Sequence, residues 1–149
     1  MRFIGNIEAK LDLKGRVFLP SVFRKELQKE GIETLVMRRD TFQRCLVLYP
    51  EDVWNELMCS MRKRLQRWNA REQNVYRQFV SEAEMVSLDG NGRFLLTKRL
   101  KEIAGIETSV NFIGMGDTIE IWAKESTEEP FMSQEEFGKA LEELFSDGL

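Results

Sequence analysis

A chain of 149 residues with 42% apolar and 32% charged side chains has a globular composition, long enough for one ordinary domain or two small ones. Histidine is absent, which removes the commonest general base and the commonest transition-metal ligand and argues against an enzyme. The net charge of −3 hides an asymmetry: from Glu102 onward twelve acidic residues stand against Lys124 and Lys139, a net of −10 that leaves +7 on residues 1–101, compatible with a basic working face and an acidic tail that limits indiscriminate binding.

Taken in chain order, residues 7–11 and 16–19 read as short strands joined through Asp12 to Gly15, whose side chains suit a turn. Pro20 ends the second strand, Ser21 is placed to cap a short helix with Val22, Phe23 and Leu27 on one face, and Gly31 closes it. A strand pair at 35–38 and 45–49 follows, with Asp40-Thr41 between. From Glu51 to Trp68 the residues Val53, Trp54, Leu57, Met58, Met61, Leu65 and Trp68 keep helical spacing, and a second helix is expected over 70–79. Arg62, Lys63, Arg64 and Arg67 lie mainly opposite that stripe, where solubility or pairing between subunits is favoured over DNA contact.

Strands at 85–88 and 94–96 flank Asn91-Gly92, the preferred pair for a hairpin turn that requires positive φ. Another pair, 110–114 and 118–122, turns at Asp117-Thr118. Residues 126–130 read as a linker, and Ser133 with Glu136 forms the signature of a capping box before a helix carrying Phe137, Ala140, Leu141, Leu144 and Phe145 on one face. No apolar run approaches the ~20 residues needed to cross a bilayer and no signal core opens the chain, so a cytoplasmic location without membrane contact is expected. Cys45 and Cys59 are too few and too far apart for a metal site or a disulfide framework and are read as reduced and structural.

The organisation is a duplication. Leu11-Asp12-Leu13-Lys14-Gly15-Arg16-Val17-Phe18-Leu19 returns as Leu88-Asp89-Gly90-Asn91-Gly92-Arg93-Phe94-Leu95-Leu96, and both copies continue into an amphipathic stretch and an identical Gly-Ile-Glu-Thr at 31–34 and 105–108. Each copy is therefore β-β-α-β-β, the fold class is α+β, and two four-stranded units of this size are expected to pack on each other as one pseudo-symmetric domain. Residues 1–50 form the first module, 51–80 inserted helices, 81–124 the second module, and 125–149 a linker and a final helix.

Asp12 and Asp89 suit Asx turns and could also orient Arg16 and Arg93, while Gly15, Gly90 and Gly92 are most simply turn residues. A lone arginine beside a turn is ordinarily solvated surface. Recurrence at the same place in both copies points further, because a guanidinium fork at the end of a two-stranded ribbon can engage guanine O6 and N7 in a major groove. Lys10, Lys14, Arg24 and Lys25 surround the first turn and suit phosphates, which position a protein without specifying sequence. The competing reading is an oligomeric scaffold whose helices recruit protein partners.

Phe3-Ile4-Gly5, the Asp12 to Arg16 motif followed by Leu19-Pro20 and Phe23-Arg24, Cys45 to Pro50 with Trp54, Asp89 to Arg93, and Ile113 to Gly116 leading to Glu120-Ile121-Trp122 together resemble the MraZ family of bacterial transcriptional regulators, relatives of the AbrB and SpoVT-like swapped-hairpin barrels. The resemblance implies two tandem AbrB-like modules in a double-barrel-like core, subunits closed into a ring homo-oligomer, and no enzymatic activity, metal or cofactor. It implies binding of double-stranded DNA at tandem repeats upstream of the protein's own division and cell-wall gene cluster, usually as a repressor associated with the nucleoid. By residue the role falls on Asp12, Lys14, Gly15 and Arg16 and on Asp89, Gly92 and Arg93. The second copy departs from the family in Asn91, where a polar or basic residue is more usual, and carries Thr97 where the first has Pro20. Loss of a cation there predicts that the first motif dominates affinity.

Overall fold

The computed structural model describes residues 2–146. Eight strands and five helices follow in chain order: β1 (Asn6–Lys10), β2 (Arg16–Phe18), α1 (Ser21–Lys29), β3 (Thr34–Arg39), β4 (Leu46–Pro50), α2 (Glu51–Arg64), α3 (Ala70–Ser81), β5 (Glu84–Ser87), β6 (Arg93–Leu95), α4 (Lys98–Ala104), β7 (Ser109–Gly114), β8 (Ile119–Ala123) and α5 (Gln134–Leu144). The fold is mixed α+β, and every pairing between these strands is antiparallel.

The two copies do not form separate four-stranded units. Six strands make one sheet in the order β1-β7-β8-β4-β3-β5, and β2 pairs with β6 as a separate ribbon. Exchanging each strand for its counterpart in the other copy reverses this order without changing it, so the sheet carries a pseudo-twofold between β8 and β4. The edge strand of each copy lies on the third strand of the other, β1 against β7 and β5 against β3.

This arrangement also corrects the hairpin expected at Asn91-Gly92. The turn forms, but β5 and β6 leave it for different sheets, and of its residues only Gly92 has positive φ. A hairpin of the expected type needs two positive-φ residues, whereas here Gly92 supplies the one left-handed position at +83° and Gly15 the matching one at +84°.

One continuous core lies between the sheet, the ribbon, α1 and α4. Phe3, Leu19, Phe23, Leu35, Met37, Leu46, Leu48, Leu96, Leu100, Phe112, Ile119 and Ile121 are fully buried within it. Phe3 meets Phe23 edge-on at 5.6 Å, and Phe94 of the ribbon meets Phe112 of β7 at 6.3 Å. Val22 points outward instead of joining Phe23 and Leu27. Ser21 is the first residue of α1 and Pro20 its N-cap, with no side-chain cap bond, whereas Thr97 at the corresponding place caps α4 by accepting the Leu100 N–H.

The helices α2 and α3 cover the outer face of β3 and β4. Tyr49, Trp54 and Phe79 form an aromatic series with centroid spacings of 5.2 and 5.7 Å. Arg38, buried in β3, lies 3.9 Å from the Phe79 centroid and donates to Glu82 at 3.0 Å and Thr41 at 3.2 Å. The helix expected through Trp68 ends at Arg64, because Asn69 caps α3 by accepting the Glu72 N–H, and Trp68 is left exposed. Cys45 is buried as expected, and burial pushes its thiol far above the ordinary range, but Cys59 is exposed on α2. Part of the expected linker is a 3₁₀ turn over Lys124–Thr127, after which Phe131 packs on Trp122 at 5.0 Å. Ser133 caps α5 by accepting the Glu136 N–H, which realises that half of the capping box.

Candidate nucleic-acid interface

The two Asp-x-x-x-Arg segments fold as near copies. Asp12 Oδ1 accepts the backbone N–H of Lys14 and of Arg16, both at 2.9 Å, and Asp89 Oδ1 accepts those of Asn91 and Arg93 at the same distance. Each turn is closed by main-chain bonds: Asp12 N–H to Arg16 C=O at 2.8 Å and Gly15 N–H to Asp12 C=O at 3.0 Å, repeated between Asp89, Arg93 and Gly92. This is the Asx chemistry the sequence suggests, since a short carboxylate satisfies the donors a reversing chain leaves unpaired. The other oxygen of each carboxylate then accepts the arginine Nε, at 2.8 Å for Arg16 and 2.9 Å for Arg93.

These bonds act on the carboxylates in turn. The Arg16 main-chain N–H above all, with the Arg16 side chain and the Lys14 N–H, holds the Asp12 carboxyl below its usual value of 3.8. The main-chain N–H of Arg93 does the same for Asp89, helped by the Asn91 N–H and the Arg93 side chain. Both aspartates are thus held as anions, and each arginine is oriented through its Nε bond.

The strand exchange brings the two arginines together. In the β2–β6 ribbon Arg16 faces Leu95, Val17 faces Phe94 and Phe18 faces Arg93. Val17 and Phe94 point into the core, so Arg16, Phe18, Arg93 and Leu95 share the outward face. The arginines occupy diagonal positions, for which Cβ spacing is somewhat under roughly 7–8 Å. Arg93 Nη1 comes to 4.0 Å from Asp12 Oδ2, and its guanidinium stands 5.7 Å from the Phe18 ring centroid. Each turn is also braced by the other copy, through Leu96 N–H to Gly15 C=O at 2.9 Å and Leu19 N–H to Gly92 C=O at 3.0 Å.

The remaining candidates divide. Lys10 and Lys14 are exposed, the first at the end of β1 and the second in the turn. Arg24 is already engaged: its Nε donates to Leu19 C=O at 2.9 Å and its guanidinium packs over Gly92. It therefore ties α1 to the end of β2 and to the second turn. Gly15 cannot carry a side chain without strain, because a Cβ there would lie 2.9 Å from the Leu96 carbonyl oxygen as well as at positive φ.

Two features escape the motif. Leu13, at the tip of the first turn, is wholly exposed, whereas Gly90 stands at the matching place in the second. Arg44 reaches from the β3–β4 loop to donate to the carbonyls of Glu102 and Ile103, both at 3.1 Å, and so closes the C-terminus of α4. The only sequence signal for Arg44 is a cation in a loop, since its partners lie 58 and 59 residues away. Among the described residues no helix is long and apolar enough to cross a membrane.

Comparison with known proteins bears on the family of the chain. The family model described as "MraZ protein, putative antitoxin-like" matches residues 3–77 and 79–146. A protein of Phocaeicola vulgatus named transcriptional regulator MraZ is 60% identical over 144 residues, covering 97% of this chain and 94% of that protein. A protein of the same name from Bacteroides thetaiotaomicron is 55% identical over 147 residues, covering 99% and 94%. Another from Legionella pneumophila is 35% identical over 147 residues, covering 99% and 93%. With matches on both halves and relatives aligned along almost their whole length, the chain belongs to the MraZ family.

Proposed function

We propose that this protein regulates transcription as a sequence-specific DNA-binding repressor of its own division and cell-wall gene cluster. It binds tandem repeats in the promoter region through its two Asp-x-x-x-Arg turns and acts as a ring homo-oligomer on the nucleoid. The transcriptional role follows from the family and the names of its relatives. The observation that carries the DNA reading is the placement of Arg16 and Arg93 on one outward face of one two-stranded ribbon, each fixed through Nε to its own aspartate. A major groove admits such a ribbon, and a guanidinium held by Nε keeps its terminal N–H groups for a guanine edge or a phosphate.

Lys10 and Lys14 add exposed charge for phosphates beside the first turn, Gly15 and Gly92 let the turns form, and Arg24 supports the second from beneath. The interleaved sheet is consistent with two AbrB-like modules, 1–50 and 81–124, merged in one double-barrel-like core, with 51–80 inserted and 125–149 appended. Several weak readers on one ring suit repeated sites, because later contacts become intramolecular and gain avidity without new chemistry.

The test is fluorescence anisotropy with a labelled duplex from the region upstream of the gene, against a scrambled duplex, at low and near-physiological salt. The native protein is expected to prefer the upstream duplex and to lose affinity steeply with salt as counterions are released. Arg16→Ala is expected to lose that preference while keeping its oligomeric mass. Weak and equal binding to both duplexes by native protein would leave the turns structural and the scaffold reading in their place.

A further inference from the structure

The helix α5 has an apolar face with no cover among the described residues. Phe137, Leu141, Leu144 and Phe145 fall at i, i+4, i+7 and i+8, one stripe of a helix, yet all four are exposed and no residue of α5 is buried. A helix of this length, about 16 Å, gains most of its stability in a protein by packing such a stripe. Glu135 and Glu142, seven residues apart, border the stripe on one side, and the helix as a whole carries Glu135, Glu136, Glu142 and Glu143 against Lys139 alone.

The complementary surface lies on the same chain. Between α2 and α3 is an open cavity of about 730 Å³ whose wall combines apolar Met58, Leu65 and Tyr76 with basic Arg62, Lys63 and Arg67. None of these three cations has an acidic partner among the described residues. An acidic helix with a greasy stripe and a basic cleft with a greasy floor match in both charge and character.

From this complementarity we infer that α5 of one copy docks in the α2–α3 cleft of a second copy. The contact joins unlike surfaces, so each copy offers one helix and one cleft, and repetition of the same joint builds a closed ring where the rotation closes. The inference is independent of what the arginine turns bind, and it assigns the exposed cations of α2 and of the loop that follows it a partner other than DNA.

The experiment uses the full chain without DNA, with mass read by light scattering and fold by circular dichroism. Variant one is Arg62→Glu with Arg67→Glu, and variant two is Glu135→Lys with Glu142→Lys. Each alone opposes like charges at the joint and is expected to fall to single-subunit mass with its fold intact. Mixed in equal amounts, they restore opposite charge at both kinds of joint, native helix on native cleft and reversed helix on reversed cleft, and are expected to regain the native mass. Leu141→Asp is expected to lose assembly that mixing with variant two does not recover, whereas mixing with variant one yields at most pairs held by a single joint. A native protein of single-subunit mass, unchanged mass in both charge variants, or folded variants that fail to reassemble on mixing would each overturn the inference, the first pointing to α5 lying in the cleft of its own chain.

Discussion

The two turns use the same device with different trim. In the first, Asp12 holds Arg16 Nε at 2.8 Å, and in the second Asp89 holds Arg93 Nε at 2.9 Å, with the same pair of main-chain donors on each carboxylate. The tips differ: Leu13-Lys14 in one, Gly90-Asn91 in the other. So do the surroundings, for Gly15 is pressed against the Leu96 carbonyl whereas Gly92 lies beneath the movable Arg24 side chain. Divergence has left untouched the bonds that aim a guanidinium and has altered the residues that would touch whatever it is aimed at.

That comparison can be broken most forcefully at the glycines. Gly15→Ala imposes both positive φ and a backbone clash, a cost of about 1–3 kcal/mol for the strained conformation before the clash is relieved. Gly92→Ala shares the φ penalty but displaces only the Arg24 side chain, so urea denaturation should rank it as the milder change. Equal losses would mean that the two turns are braced alike.

Next come the arginines. Arg16→Ala should weaken operator binding at least tenfold, within the ~1–3 kcal/mol of a specific base contact, and Arg93→Ala less, because only the first turn carries a lysine for phosphate beside its reader. Equal losses would sink the dominance of the first turn. A gain of function sharpens the same point: Asn91→Lys should raise affinity modestly and steepen the salt dependence by about one unit of slope, as one further phosphate contact does.

The smallest effect concerns pH, where the copies should behave alike. Both carboxyls are held below 3.8 in the folded protein, so the stability they contribute is present above that value and is lost as pH falls through their lower folded values. Carboxyl carbon shifts followed by NMR should show Asp12 and Asp89 titrating together, below 3.8. One of them titrating at its ordinary value would show that its turn opens in solution.

The turns were legible in the amino-acid sequence because their chemistry is local: an aspartate, a glycine at the left-handed position and an arginine four residues on specify the loop by themselves. The strands were found within a residue or two for the same reason, but their partners were not. Alternation tells which face of a strand is buried and says nothing of which strand lies beside it, so a hairpin at Asn91-Gly92 looked natural while β5 had in fact paired with β3. Leu65 and Trp68 stay in phase with α2, which hid the point where the Asn69 cap takes over. Arg24 looked like a phosphate ligand from its neighbours in sequence, and its bond to Leu19 C=O depends on how α1 returns over the turn.

The exchanged edge strands also set a timetable for the growing chain. β1 leaves the ribosome well before β7, so Asn6 waits for Ile113 and Lys10 for Ser109, about a hundred residues later, an interval of roughly 5–20 s at ordinary rates of synthesis. Until then the first half of the chain has an unpaired strand edge and no means of closing its core alone. Two such nascent halves on neighbouring ribosomes could satisfy each other instead, so the covalent link between the copies does more than keep two readers together: it ensures that each edge meets its own partner first.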